Sequence, residues 1–151
     1  MKYLSIIFIL FFSLGYCQKL KAVHFDDISK YEFEELDRLM VEQHGFLRMN
    51  DIEHEHQRVY TNNSDQLDQL IVITVIKDPK SCSHVLSIVD RSESSVMRLK
   101  EELPNAGYQY QGEKKMSEEI LVSHFTKGRK AVLITDTKTS TGAYQILLMC
   151  K

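Results

Sequence analysis

The sequence predicts an α+β domain: an antiparallel sheet with two amphipathic helices on one face, read from three features. Two stretches carry apolar residues at helical spacing behind recognisable N-terminal caps. Between and after them run short β-branched or alternating segments separated by turn residues. These elements also recur in the same order in the two halves of the chain, so the architecture reads as two tandem strand–helix–three-strand units.

Before the domain comes a leader. Lys2 supplies a positive charge, and residues 3–14 are almost wholly apolar, interrupted only by Ser5 and Ser13. About 20 apolar residues are needed to span the bilayer, and this run is shorter. It ends in Gly15-Tyr16-Cys17, with small residues at the positions a signal peptidase selects. Residues 1–17 therefore read as a signal peptide, with residues 18–151 as one α+β domain and the protein exported, periplasmic or extracellular. Anchoring by a lipid on Cys17 is the lesser alternative, because bulky Tyr16 stands where such sites carry a small residue. No membrane span is expected after cleavage.

The domain elements follow in order. Residues 20–25 read as a short strand. Ser29 then stands three residues before Glu32 as a capping box, Ile28 and Phe33 form a hydrophobic staple, and Phe33, Leu36, Leu39 and Met40 mark one helix face. Gly45 ends that helix, and Phe46-Leu47 opens a strand. Strands are expected at 54–61 and 69–76, the second β-branched and apolar on both faces as in a buried central strand. A second round begins with a strand at 84–89. A helix capped by Asp90 or Ser92 follows, carrying Val96, Leu99 and Leu103 and stopped by Pro104. Strands then fall at 108–111, 120–125, 131–134 and 143–149, with Lys127-Gly128 turning one hairpin. Ser29, Phe33, Leu36 and Met40 precede Ser92, Val96, Leu99 and Leu103 by 63 residues, and Gly45-Phe46 precedes Gly107-Tyr108 by 62. That spacing suggests internal repeats over 20–77 and 84–150.

Charge bounds the partners. The chain has 19 Lys and Arg against 21 Asp and Glu, net −2, which gives no reason to expect nucleic acid. The spread is uneven: residues 26–68 carry net −8 and residues 69–151 net +3. Such an asymmetry suits docking to another protein or an envelope component, or self-association. Lys114, Lys115, Lys127, Arg129 and Lys130 form a candidate anion or partner patch.

Two cysteines follow the leader, and Cys82 and Cys150 fit one disulfide in an oxidising compartment. Glu53-His54-Glu55-His56, taken as strand, would put His54 and His56 on one face as candidate metal ligands, with His24, His44 or Asp51 arriving through the fold as a third. Ser81-Cys82-Ser83-His84 places nucleophiles beside an imidazole, but no strand–turn–helix elbow surrounds them, and a half-cystine cannot attack. Asn62-Asn63-Ser64 is a glycosylation sequon. No phosphate-binding glycine loop, zinc-ribbon spacing or dinucleotide fingerprint is present. No catalytic residue and no cofactor is therefore assigned, beyond a metal ion at His54 and His56. The reading that follows is an exported, small, non-catalytic binding or accessory protein. Its alternatives are a metal-binding protein centred on His54 and His56, and a hydrolase with a dispersed site.

Overall fold

A computed structural model describes residues 20–151; the expected signal peptide, including Cys17, lies outside the described residues. The architecture is α+β, as expected. Eight strands form one antiparallel sheet: β1 (Leu47–Arg48), β2 (Gln57–Thr61), β3 (Ile71–Ile76), β4 (Val85–Asp90), β5 (Gln109–Lys115), β6 (Leu121–Lys127), β7 (Lys130–Thr135) and β8 (Tyr144–Cys150). Their order in the sheet is β1-β2-β3-β4-β8-β7-β6-β5. The helices are α1 (Phe25–Ile28), α2 (Phe33–Asp37, continued by wider π-type turns over Arg38–Gln43) and α3 (Glu93–Asn105). Among the described residues no helix is long and apolar enough to cross a membrane.

One sheet face is covered. Period-2 alternation aims Ile71, Ile73 and Val75 of β3, Leu86 and Ile88 of β4, Val132 and Ile134 of β7 and Ile146 and Leu148 of β8 at the helices. There they meet Phe25, Ile28, Leu36, Met40, Val96, Leu99 and Leu103 in one core. Each fully buried aliphatic side chain contributes about 1.5–3 kcal/mol, so this layer is the main source of stability.

The two helical segments end alike. Gly45 (φ 71°) and Gly107 (φ 89°) take the left-handed conformation. The next amides, of Phe46 and Tyr108, turn back to the carbonyls of Met40 and Leu103. Each turn drops an aromatic, fully shielded, under its helix. The strand registers also correspond. Tyr60 pairs with Ile73 and Ile73 with Ile88, while Phe125 pairs with Val132 and Val132 with Leu148. At the seam Leu86 faces Leu148, Ser87 faces Leu147 and Ile88 faces Ile146. Exchanging Ile88 with Leu148 and Leu86 with Ile146 leaves this pairing unchanged, so the register there has a local two-fold centred on Ser87 and Leu147.

Three expectations are corrected. Residues 20–25 are not a strand: Ala22–His24 form a 3-10 turn running into α1. The segment is tied to α3, where Glu102 accepts from the Ala22 amide. Each half therefore has its four-strand meander after its helices, and the strand at 84–89 completes the first meander rather than opening the second. Ser29 is not an N-cap either. It closes α1, is fully buried, donates through its hydroxyl to the Asp26 carbonyl, and gives its own carbonyl to the His84 amide. Glu32 then stands at the start of α2. Finally, residues 54–56 are not strand: a turn closed by the Gln57 amide on the His54 carbonyl precedes β2. The α3 cap is as expected, with Ser92 Oγ accepting from the Ser95 amide and Asp90 Oδ1 from the Ser92 amide.

Candidate interaction face

The second sheet face carries no helix among the described residues. Alternation places on it Gln57, Val59 and Thr61 of β2, Val72, Thr74 and Ile76 of β3, Val85, Ser87 and Val89 of β4, Gln145, Leu147 and Met149 of β8, Ala131, Leu133 and Thr135 of β7, and Val122, His124 and Thr126 of β6. At these outward positions on the six strands there is no Asp, Glu, Lys or Arg. The one titratable side chain is His124, whose pKa is lowered by burial and by the nearby charges of Lys151 and Lys114, so it is neutral at neutral pH. Val59, Thr61, Val122, Ala131 and Thr135 are buried, Ile76 and Gln145 are exposed, and the others are half-buried. An antiparallel sheet with one solvated face ordinarily alternates apolar inside with polar outside. Here ten of the eighteen outward positions are apolar and four more are Thr, and on β3 they are Val72, Thr74 and Ile76, which is why that strand reads as apolar on both faces.

Charge is gathered instead on the helical side, where it ties helices to strands. Asp26 of α1 accepts from Lys127 and, at 2.7 Å, from Lys130, the two ends of the β6–β7 hairpin. Burial alone would raise its pKa, but the hydrogen bonds from Lys127 and Lys130 outweigh that and hold it at about 2. Lys127 also donates to the Ala106 carbonyl and Lys130 to Ser29 Oγ. Under α2, Arg48 bridges Asp37 (2.7 Å) and Glu53, while the Tyr60 hydroxyl donates to Asp37 at 2.6 Å. Burial, then the Asp37 hydrogen bond, pushes the Tyr60 pKa up, and burial does the same for Tyr108. Under α3, Lys100 and Ser123 converge on Asp136.

This arrangement decides where each residue singled out by sequence comes to lie. Lys127 and Lys130 are consumed internally, while Lys114 and Lys115 sit near the far end of β5, opposite Val122 and Leu121, away from the hairpin that contains Arg129. The five are not brought together. His54 and His56 are exposed in the turn before β2, and Glu53 points inward to Arg48, Arg58 and the Val59 amide. The shared strand face assumed for the two imidazoles does not exist. Among the described residues no group of three or more His, Cys, Asp or Glu is gathered to hold a metal. Asn62 of the sequon uses its side chain to brace the turn before β3, donating to the Gln69 carbonyl and accepting from the Ile71 amide.

Cys82 and Cys150 are brought together with Cα atoms 5.8 Å apart and sulfurs within bonding distance, as a disulfide requires. They fasten the β3–β4 loop to the end of β8. A shallow cleft of about 260 Å³ lies beside them, lined by Ser29, Lys30, Glu32, Lys77, Ser83 and His84 among others. Its chemistry is committed to structure. His84 Nε2 meets the Tyr31 carbonyl at 3.0 Å, so that nitrogen carries the proton, and Ser83 Oγ donates to the carbonyl of His84. Neither pairs with the other as nucleophile and base.

Helices expected on one side only already left a sheet face open; what sequence reasoning missed is that this face lacks charge, a signal present in the outward positions of β2, β3, β4, β8, β7 and β6. A scan against protein-family models, a search of curated proteins and a search of solved structures each gave no match to this chain.

Proposed function

We propose that this is an exported, non-catalytic binding protein whose open sheet face receives another protein of the envelope or the surrounding medium. The observation that carries the reading is the uncharged, largely apolar set of outward positions on six adjacent strands. A six-strand face without one Asp, Glu, Lys or Arg suits the charge-depleted centre of a recognition surface. The disulfide-compatible pair supports an oxidising compartment, and the polar clusters on the helical side serve internal ties. The matching registers of the two meanders further support the proposal that the chain arose by internal duplication, with β4 and β8 as its seam.

The test is site-specific photo-crosslinking in the native host. A photoreactive residue at Leu147, on the open face, should give a defined adduct with one identifiable protein. The same residue at Met97, exposed on α3, should not. Adducts at Met97 and none at Leu147 would place recognition elsewhere and overturn the reading.

A further inference from the structure

The segment preceding α1 is held by an unusual contact. The His24 ring stacks on the His44 ring with centroids 4.2 Å apart and planes inclined by 34°. His24 Nδ1 and His44 Nε2 are both buried and have no hydrogen-bond partner among the described residues. Beside the stack, the Ala22 amide donates to Glu102 of α3 at 3.2 Å, and Leu20 and Ala22 are buried in the core. Buried polar atoms without partners are rare enough to need a reason.

We propose that the His24–His44 stack is an acid-released clasp, which holds residues 20–24 against the ends of α2 and α3 at neutral pH and opens when either ring is protonated. A neutral imidazole carries one N–H; a second proton makes both ring nitrogens donors. In this stack the added proton leaves a buried N–H without an acceptor and sets a cation against the other ring. The charges facing the pair divide. Lys21, on the same segment, opposes protonation, whereas Asp27 of α1 and Glu102 of α3, itself paired with Arg98, favour it. Burial, then His44 and Lys21, prevails for His24, and burial acts on His44, so both rings resist protonation when folded. A depressed histidine pKa gives stability that is complete above the ordinary value of about 6.5 and is lost as pH falls through the folded value. An exported protein is exposed to such changes. The clasp is independent of any partner on the open face.

Amide hydrogen exchange on the intact protein tests this at pH 7.5 and 5.0, after correction for intrinsic exchange. The Ala22 and His24 amides should lose at least tenfold protection at the lower pH, while amides in the middle of α3 keep theirs. In either single variant, His44→Leu or His24→Phe, that dependence on pH should shrink, and in the double variant it should vanish, whatever the absolute protection. Equal protection of the native protein at both pH values, or an unchanged pH response in the variants, overturns the clasp.

Discussion

Replacing Asp26 with asparagine removes one negative charge from the point where α1 meets the β6–β7 hairpin, and the cost can be worked from its surroundings. The Lys127 and Lys130 ammonium groups hold the carboxylate pKa at about 2, against 3.8 for an unperturbed aspartate. At 1.36 kcal/mol for each pH unit, that difference corresponds to about 2.5 kcal/mol if fully expressed. The side chain is 26% exposed, so solvent screening reduces the expected loss to about 1–2 kcal/mol. Lys130, only 12% exposed, would keep Ser29 Oγ as a partner but lose its counter-ion. The sign of the pH dependence follows. A depressed carboxylate pKa stabilises the fold above about pH 4, and that stability drains away as pH falls toward 2. Urea denaturation of native protein and Asp26→Asn at pH 7 and pH 2.5 measures it. The gap should stand near 1–2 kcal/mol at pH 7 and shrink by more than half at pH 2.5. A gap below 0.3 kcal/mol at pH 7, or one that does not change with pH, would refute the electrostatic assignment.

Other changes read different layers of the structure. Cys82 and Cys150 are 68 residues apart, so Cys82→Ala with Cys150→Ala should lower stability by about 4 kcal/mol in non-reducing urea melts, by loss of loop closure in the unfolded chain. Ser92→Ala, which removes the α3 N-cap, should cost about 1 kcal/mol in the same assay. Ile88 and Val89 are neighbours on opposite faces of β4. Ile88→Ala should cost about 2–5 kcal/mol, since it opens a cavity in the core, and Val89→Ala clearly less. Equal losses would mean that the open face is packed in the isolated protein.

Much of this fold was legible because local signals agree with tertiary placement. Leu36 and Met40, and Val96, Leu99 and Leu103, face the sheet as their spacing requires, and Gly45 and Gly107 end their helices with positive φ. Six of the expected strands lie within one or two residues of their positions. The failures share a cause, which is competition by distant partners. Ser29 had the chemistry of an N-cap, but its carbonyl is claimed by the His84 amide and its hydroxyl by the Asp26 carbonyl, so the helix restarts later. Residues 20–25 alternate like a strand, yet the Ala22 amide is claimed by the Glu102 carboxylate of α3. At the candidate sites, adjacency in sequence misled. Glu53 turns inward to Arg48 while His54 and His56 stay in solvent, and Lys127 and Lys130 reach Asp26, about a hundred residues earlier in the chain. Residue type alone cannot reveal such pairings, whereas the Cys82–Cys150 pairing needed only two thiols and a compartment.

The most direct measurement asks whether an added charge on the open face abolishes recognition without disturbing the fold. Leu147 lies opposite Ser87 at the centre of that face, and Met97 is exposed on the other side of the molecule. Leu147→Lys and Met97→Lys can be compared with native protein for thermal unfolding and for affinity toward the partner identified by crosslinking at Leu147. All three should unfold cooperatively. Met97→Lys should bind as the native protein does, and Leu147→Lys should lose at least tenfold in affinity. A folded Leu147→Lys protein that binds with native affinity would contradict the assignment of the open sheet face as the recognition surface.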